Sequence, residues 1–390
     1  MKLKFLKLSK PVLVISAILN LTLFSWIAYS TPKTSILIKN LSSEKNTVQK
    51  KFVNSEKELN KLKNEDQYVV NKKLEGEIKD IKGSFGTLLS VYEKVLDQSS
   101  SKQAPEYQKM LAESLGFLSK WNYASANAEL TLISKKLDEE TKKAEAAFTI
   151  PQNVPVNNSP PSSGYQRQQV QTELGSFLVS IISADLNSTR VIVDTASDSS
   201  CGDNCPVLSL SDYVSRNGAY AGVNGSYFCP ATYPSCQGKT NSFDTLLMNK
   251  NKVYFNSDNN VYSTVPAVIF GQGWIRFVGR SLDWGRDTGI DSMIANQPLV
   301  LSGGNVAFGG DGDPKKGSKG NRSFVGSKGN IVYIGIVYNA TVAEVGYALK
   351  ALDLENGLNL DSGGSTALWY EGYKAGPGRN IPNAILFVRK

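Results

Sequence analysis

The chain has 390 residues and a net charge of +8, with four cysteines and no histidine. Without histidine, a Ser-His-Asp triad, a Cys-His pair and a histidine-ligated metal are excluded, and acid–base chemistry falls to Asp, Glu, Lys, Tyr or Cys. Residues 1–150 carry +7 of the charge and residues 151–390 carry +1. A nucleic-acid-binding domain would concentrate its basic residues in the folded part, so nucleic acid is not expected as a partner.

The N-terminal segment, residues 1–32, has the charge pattern of a membrane anchor or a signal peptide. Four lysines, the last at Lys10, precede an uncharged, largely apolar run from Pro11 to Pro32. A membrane-spanning helix needs ~20 such residues, whereas a signal peptide has an apolar core of ~7–15. The length favours an uncleaved helix through residues 11–29, although Ala28-Tyr29-Ser30 fits a cleavage site. Because flanking lysines remain in the cytoplasm, we expect a single-pass bacterial membrane protein with an extracytoplasmic C-terminal domain, or a secreted protein after cleavage.

Residues 33–148 are predicted to form an all-α stem. Apolar residues near heptad spacing from Ser35 to Asn64, with Lys and Glu between them, indicate a coiled-coil-like helix. A second helix is predicted over 67–96, and a helical hairpin over 105–120 and 124–148. The stem is interpreted as a spacer or as the site of homo-oligomerisation, and the alternative is a helical bundle without a partner.

Residues 149–169 contain four prolines among Asn, Ser and Gln, a composition typical of an extended linker. In residues 170–390 the pattern changes to short apolar runs separated by turns. The fold class predicted for this part is α+β, with a mixed sheet. The first two strands, Gly175–Ile182 and Arg190–Thr195, are predicted to pair with each other around Leu186-Asn187.

A crossover connection is predicted near the C-terminus. Thr341 and Glu344 have the spacing of a helical capping box. The helix that they begin lies between a strong strand, Ile331–Val337, and a second strand, Leu358–Leu360. This order places Asp361 at the carboxyl end of a strand, where α/β sheets tend to bind ligands.

The four cysteines lie close together in the sequence, at Cys201, Cys205, Cys229 and Cys236. An even number of cysteines in an extracytoplasmic domain predicts two disulfides. Three pairings are possible, and the local one, Cys201–Cys205 with Cys229–Cys236, is preferred. A zinc site is the alternative, but the spacings differ from those of paired C-x₂-C knuckles.

Four segments carry polar residues where a buried strand pattern would not predict them. They are Asn224-Gly225-Ser226-Tyr227-Phe228, Asn321-Arg322-Ser323-Phe324-Val325-Gly326, Asp361-Ser362-Gly363-Gly364-Ser365-Thr366, and Gly376 to Ala384. In the first segment, the asparagine amide suits a sugar hydroxyl or a phosphate oxygen, and the two aromatic residues suit a pocket wall. The alternative for this segment is a hairpin corner.

The other three segments combine a charged group with a turn or a strand end. A buried Arg322 is costly unless its charge is paired, either by a bidentate phosphate or by a nearby acid. Gly363 and Gly364 let backbone N–H groups approach an anion beside Asp361, and the alternative is a tight turn with an Asx cap. In the last segment, Arg379 or Asn383 would orient a substrate, or the asparagine would cap the backbone.

Together, the four segments resemble the phosphodiester glycosidase family, that of the catalytic domain of N-acetylglucosamine-1-phosphodiester alpha-N-acetylglucosaminidase. The quoted patterns are Asn-Gly-x-Tyr-Phe, Arg-Ser-x-x-Gly, Asn-Leu-Asp-Ser-Gly-Gly-Ser-Thr and Arg-x-x-Pro-Asn-Ala. Residues 294–300 with Gly303-Gly304 resemble the family's central strand and turn, and the resemblance covers about 175–390. The family usually has Asp-Gly-Gly-Gly-Ser, so Ser362 replaces the first glycine and is expected to stiffen the turn or alter the activity.

The resemblance implies hydrolysis of a phosphodiester that links the anomeric carbon of a sugar to another alcohol, with a glycan or sugar phosphate as substrate. It implies catalytic roles for Asp361, Arg322 and Asn224. Asp361 is the expected acid, base or nucleophile, because such reactions commonly use carboxylates. The implied substrate-binding residues are Gly225, Tyr227, Phe228, Ser323, Gly363, Gly364, Ser365, Thr366, Arg379 and Asn383. The second carboxylate stays open among Glu371, Asp311, Asp313 and Asp244. No cofactor is required, and a divalent cation at Asp361 is left open.

Two other functions are consistent with the sequence. The first is a non-catalytic module that binds glycans or sugar phosphates on a helical stem, which fits Ser362 and the missing second carboxylate. The second is a structural scaffold of the envelope, which fits the length of the stem.

Overall fold

The computed structural model describes residues 10–98 and 103–390, and the side chains of residues 10–15, 27–32, 66 and 260 fall outside that description. Contacts between residues divide the chain into two compact units, Met1–Gly83 and Ser84–Lys390. This division differs from the predicted domain boundaries. The end of the second helix and the helical hairpin belong to the same unit as the C-terminal domain.

The helices lie near the positions predicted from apolar spacing. Within the described residues they are α1 (Lys10–Lys63), α2 (Asp66–Asp97), α3 (Ala104–Leu118), α4 (Tyr123–Ala147), α5 (Leu210–Asn217), α6 (Pro314–Gly317) and α7 (Val342–Ala351). The apolar seam predicted for the stem lies exposed along α1 in the single chain, with Val48 65% and Phe52 67% exposed.

The predicted membrane helix, residues 11–29, falls in the N-terminal part of α1. Among the residues whose side chains are described, no helix combines the length and the apolar character that crossing a membrane requires. Residues 11–15 and 27–29 of the predicted span lie outside that set.

The end of α2 forms a small helical bundle with α3 and α4. The predicted hairpin is confirmed as α3 and α4, and Asn122 caps α4 by accepting a hydrogen bond from the backbone N–H of Ser125 at 3.1 Å. The apolar core of the bundle consists of Val91, Val95, Tyr107, Met110, Leu111, Leu130, Ile133 and Leu137. This bundle belongs to the larger of the two units.

The C-terminal part of the chain is rich in strands. They are β1 (Gly164–Thr172), β2 (Gly175–Asp185), β3 (Thr189–Thr195), β4 (Ala221–Asn224), β5 (Leu247–Met248), β6 (Tyr254–Phe255), β7 (Ala267–Gly271), β8 (Trp274–Val278), β9 (Ser292–Ala295), β10 (Leu299–Ser302), β11 (Asn305–Val306), β12 (Gly320–Lys328), β13 (Ile331–Ala340), β14 (Asn356–Ser362), β15 (Leu368–Tyr370), β16 (Tyr373–Ala375) and β17 (Asn383–Arg389). The three sheets that they form have the orders β1-β2-β13-β12-β14-β10-β11, β16-β15-β4-β17-β3 and β6-β5-β9-β7-β8.

The α+β class is confirmed, but the prediction of a mixed sheet is wrong. Every neighbouring pair of these strands runs antiparallel. β13 and β14 do run parallel to each other across α7, as the crossover requires, but β12 lies between them and pairs with both. β12 takes this place because it forms a hairpin with β13. Asp361 still lies next to the carboxyl end of β14.

The predicted pairing of the first two strands is also wrong. β2 pairs with β1 and β13 in the first sheet, whereas β3 pairs with β17 in the second. Both strands contribute apolar side chains, such as Ile182 and Val193, to one core shared by the sheets. The turn at Leu186-Asn187 therefore carries the chain from one sheet to the other, where packing buries both strands.

Part of the predicted linker is folded. β1 begins at Gly164, and Pro155 and Asn157 exchange backbone hydrogen bonds of 2.9 Å with Gln169 on that strand. β1 is the edge strand of its sheet, so one side of it has no neighbouring strand. An extended, proline-rich segment is suited to cover such an edge. The domain thus begins before residue 170.

The predicted capping box of α7 is confirmed. Thr341 Oγ1 accepts from the backbone N–H of Glu344 at 3.2 Å, and Glu344 Oε2 accepts from that of Thr341 at 2.7 Å. The apolar face of α7 packs on the first sheet, where Val345 and Leu349 share a core with Phe324. This packing fixes the connection that leads into β14 and Asp361.

Candidate functional site

The four polar segments meet where the first and second sheets come together. β12 carries Arg322 beside Ser362 of β14, and β4 carries Asn224 beside Ala384 of β17. The two pairs are joined by the backbone, since Asp361 N–H donates to the carbonyl of Gly225 at 2.9 Å. Segments far apart in sequence therefore surround one carboxylate, that of Asp361.

Asn224 is a buried positioning residue. Its Nδ2 donates to the backbone carbonyl of Asp361 at 2.7 Å, and its Oδ1 accepts from Ser323 Oγ at 2.8 Å and from Ala367 N–H at 3.1 Å. The side chain is fully buried. In the structure the amide and the Ser323 hydroxyl hold strand ends together, and the predicted contacts of both residues with substrate stay predictions.

Gly225 and Asn383 form a second buried clamp. Asn383 Oδ1 accepts from Ser226 N–H at 2.9 Å, and Asn383 Nδ2 donates to Ser226 Oγ at 3.0 Å. A Cβ on Gly225 would lie 1.9 Å from Asn383 Oδ1, so only glycine fits this close approach. The structure buries both residues in the clamp, and their predicted contact with substrate stays a prediction. Phe228 packs, half-buried, against the core.

Burial dominates the ionisation of Asp361. It raises the pKa of the carboxyl group from 3.8 to about 6, while Ser365, Ser362 N–H, Arg379 and Arg322 act in the opposite direction. The Ser362 N–H donates to Asp361 Oδ1 at 2.8 Å. A carboxyl group with a pKa near the working pH is suited to act as a general acid or base.

The turn after Asp361 accommodates serine at position 362. Ser362 has extended backbone angles, φ −141° and ψ −175°, which any residue adopts. The left-handed conformation falls on Gly363, at φ +63°. Backbone strain therefore gives no reason to expect a stiffer turn from the serine. The Thr366 hydroxyl donates to the carbonyl of Asn321 at 3.0 Å, and Ser365 is buried.

Arg322 makes no salt bridge with the described acids and holds backbone carbonyls instead. Nε donates to Ala340 O at 3.0 Å, and Nη2 donates to Lys315 O at 2.8 Å and to Ser318 O. Burial lowers the pKa of Arg322. Its predicted role as the phosphate contact stays a prediction, and only Nη1 has no hydrogen-bond partner among the described residues.

Two asparagines that lie in the quoted patterns, but were not among the predicted site residues, hold Tyr227. Asn359 Nδ2 donates to Tyr227 Oη at 2.6 Å, and Asn296 Oδ1 accepts from Tyr227 N–H at 3.0 Å. Burial raises the pKa of Tyr227 to about 12, and the charge of Asp361 acts in the same direction. Asn359 lies two residues before Asp361 on β14, on the same face, and this period-2 spacing was the signal available in the sequence.

Arg379 contacts the turn that follows Asp361. Its backbone N–H donates to Gly364 O at 2.8 Å, and a Cβ on Gly364 would lie 2.2 Å from its Nη2. The guanidinium carbon lies 5.2 Å from the centre of the Tyr233 ring. Tyr233, which the sequence analysis did not single out, lies in the loop closed by the Cys229–Cys236 disulfide.

The four carboxylates considered as a second acid or base are Glu371, Asp311, Asp313 and Asp244. Burial lowers the pKa of Arg322 and raises that of Tyr227, and the charge of Asp313 raises both. Glu371 and Asp244 are exposed in loops. Asp313 is therefore the preferred candidate of the four, because its charge acts on two residues of the site. Among the described residues, no group of three or more acids or cysteines is placed to hold a metal ion.

Both disulfides have the local pairing, Cys201 with Cys205 and Cys229 with Cys236. No cysteine is therefore available as a zinc ligand, since all four are oxidised in pairs. Disulfides persist in oxidising surroundings, which indicates an extracytoplasmic C-terminal domain.

The sequence of the C-terminal domain is similar to that of a known family. Residues 217–388 match the sequence model of the family described as phosphodiester glycosidase, and this range contains all four polar segments. The resemblance seen in those segments is thereby confirmed at the level of the family. No curated protein sequence matches the chain.

Solved structures provide distant similarities. A hypothetical protein from Synechocystis is 12% identical, with 58% of this chain and 62% of that chain covered, at a TM-score of 0.42. The catalytic domain of zebrafish N-acetylglucosamine-1-phosphodiester alpha-N-acetylglucosaminidase, auto-inhibited by its pro-peptide, is 16% identical, with 61% and 87% covered, at 0.46. An exported protein from Burkholderia pseudomallei is 10% identical, with 55% and 74% covered, at 0.35. These similarities carry no weight for the activity of this chain.

Proposed function

We propose that the chain is a hydrolase of the cell envelope that cleaves a sugar-1-phosphodiester, with a cell-surface glycan as substrate. The observation that carries this proposal is the half-buried Asp361 carboxylate, with a pKa of about 6, held between four segments typical of the family. The match of residues 217–388 to phosphodiester glycosidases supplies the reaction class.

In the proposed reaction the bond between the anomeric carbon and the phosphate oxygen breaks, and its electron pair leaves with the phosphate monoester. Asp361 faces the developing positive charge of the sugar, accepts a proton from the attacking water, or forms the covalent intermediate itself. A phosphate monoester is a good leaving group, so a weak second acid is sufficient. Asp313 is our candidate for that role, and Tyr227 lines the site beside Asp361.

We also propose where the protein acts. Oxidised cysteines support an extracytoplasmic C-terminal domain, and the uncharged run from Pro11 to Pro32 supports attachment to the membrane. The exposed apolar seam of α1 supports a homo-oligomer formed through the stem. Both proposals concern the N-terminal part and are independent of the chemistry.

The test is an assay of the purified, oxidised full-length chain on an aryl phosphodiester of a sugar 1-phosphate, with and without divalent ions. We expect release of reducing sugar, and we expect Asp361→Asn to lower kcat by about 10²–10⁴-fold, the range typical of a lost acid or base. The kcat/KM of the parent should fall as the pH drops below about 6, as Asp361 becomes protonated.

Asp353→Asn is the matched control, since Asp353 is an exposed acid that pairs with Lys328 on the surface. It should retain the parent activity. Full activity of Asp361→Asn would remove Asp361 from the mechanism. Sugar-phosphate binding without turnover, equal in the parent and in Asp361→Asn, would favour the alternative of a non-catalytic binding module.

A further inference from the structure

The side of the site beyond Asp361 is formed by a tyrosine and an arginine. The Arg379 guanidinium lies against Gly364 and stacks on Tyr233, and its positive charge opposes the rise in the pKa of Asp361 that burial causes. Lys315 Nζ lies 5.5 Å from the centre of the same Tyr233 ring. Arg379 thus links the Asp361 turn to a hydroxyl donor, Tyr233, beside which a second cation lies.

A carboxylate from the helical part occupies this position. The Tyr233 hydroxyl donates a hydrogen bond to the carboxylate of Asp97, the last residue of α2. Tyr233 Oη lies 2.7 Å from Asp97 Oδ1 and 2.9 Å from Asp97 Oδ2. Arg379 Nη2 lies 3.9 Å from Asp97 Oδ1. One turn earlier on α2, Glu93 Oε1 accepts from the backbone N–H of Ser235 at 3.1 Å. The end of α2 therefore covers the Tyr233 loop and places a negative charge on Arg379.

A carboxylate and a phosphodiester present the same feature to a protein, two oxygens that share one negative charge. Arginine recognises both groups through its paired N–H donors. Arg322 is poorly suited to this contact, since its Nε and Nη2 donate to backbone carbonyls. We propose that Tyr233 and Arg379 form the subsite for the anionic oxygens of the phosphodiester, and that Asp97 fills this subsite until substrate displaces it.

This inference rests on the proposed function, because it assigns a contact to the phosphodiester of that substrate. The Asp97 side chain is 52% exposed, and its contact with Arg379 is long. An exposed pair of this kind stabilises a structure only weakly. A phosphodiester that contacts Arg379 at a shorter distance is therefore expected to displace Asp97.

The test uses dimethyl phosphate, a phosphodiester without a sugar, and the oxidised full-length chain. Titration calorimetry should give a Kd about two- to fivefold lower for Asp97→Asn than for the parent, because Asp97 no longer competes for the subsite. Asp138→Asn is the matched control, since Asp138 pairs with Lys94 within the helical part, at 3.0 Å, and should leave the Kd unchanged. Adding Arg379→Gln to Asp97→Asn should abolish binding, and adding Tyr233→Phe should weaken it several-fold.

An unchanged Kd in Asp97→Asn, with thermal unfolding like that of the parent, would overturn the subsite. The same holds if Asp97→Asn/Arg379→Gln binds as well as Asp97→Asn. Asp361-dependent hydrolysis with an unaltered KM in Asp97→Asn would retain the proposed function and remove the subsite. Tighter binding in Asp97→Asn without hydrolysis by any variant would support the subsite and reject the glycosidase.

Discussion

At the scale of single residues, Asp361 links stability to chemistry. In an unfolded chain this carboxyl group has its ordinary pKa of 3.8, whereas in the folded chain the pKa is about 6. Between these values the folded state binds more protons than the unfolded state. The free energy of unfolding therefore decreases as the pH rises through this window, and the loss persists above about pH 6.

Asp361→Asn should consequently raise the stability of the protein at neutral pH. An amide carries no charge to bury, so we expect the free energy of unfolding to increase by up to about 3 kcal/mol at about pH 7.5, with little change near pH 4. Denaturant unfolding at the two pH values, with Asp353→Asn as control, measures the difference. A loss of stability at both values would contradict the burial of a charged carboxylate.

Gly225 provides a second prediction at this scale. In Gly225→Ala the new Cβ would lie 1.9 Å from Asn383 Oδ1 and 2.9 Å from its backbone oxygen. The clamp must open, and we expect a destabilisation of about 1–3 kcal/mol, as is usual for overpacking. Gly279→Ala, where a Cβ meets nothing within 4 Å, is the control and should change the midpoint of thermal unfolding very little. Equal midpoints for the two variants would show that the clamp yields freely.

At the scale of elements, the predictability of each segment follows from the range of its interactions. The capping box of α7 and the apolar run of β13 are local features, so the sequence alone was enough to predict them. The position of β12 between β13 and β14 depends on both the β12–β13 hairpin and the crossover through α7. No local sequence pattern predicts this strand order. The same holds for β3, whose partner β17 lies at the far end of the chain.

The exposed seam of α1 leads to a prediction about this element. Val48 and Phe52 lie on an apolar seam with heptad spacing that is unpartnered within the described chain, and such seams associate in water. We expect the full chain to sediment as an oligomer, and Val48→Glu/Phe52→Glu to sediment as a smaller species. Val261→Glu, a change at an exposed loop residue, serves as control. Identical sedimentation of all three proteins would contradict assembly through α1.

At the scale of the whole molecule, the sequence motifs converge on one place in the structure, and several of their side chains are buried there. Asn224, Gly225 and Asn383 were predicted as ligand contacts, and the structure buries all three near the Asp361 turn, where their contact with a ligand stays a prediction. A sequence motif indicates which residues a site requires. It does not distinguish residues that contact the ligand from residues that hold the backbone of the site in place. Tyr233 and Asp97 lie outside the motifs, and contacts between segments far apart in the sequence bring them next to Arg379.

The two disulfides have a consequence for how the chain matures. Each cysteine finds its partner four or seven residues away, so the effective concentration of the correct partner is high as soon as each segment meets an oxidant. Local bonds of this kind require no contact between distant segments, so the pairing does not depend on the three sheets. The short separations disfavour wrong pairings between the two segments, and the Tyr233 loop is closed by a bond within its own segment.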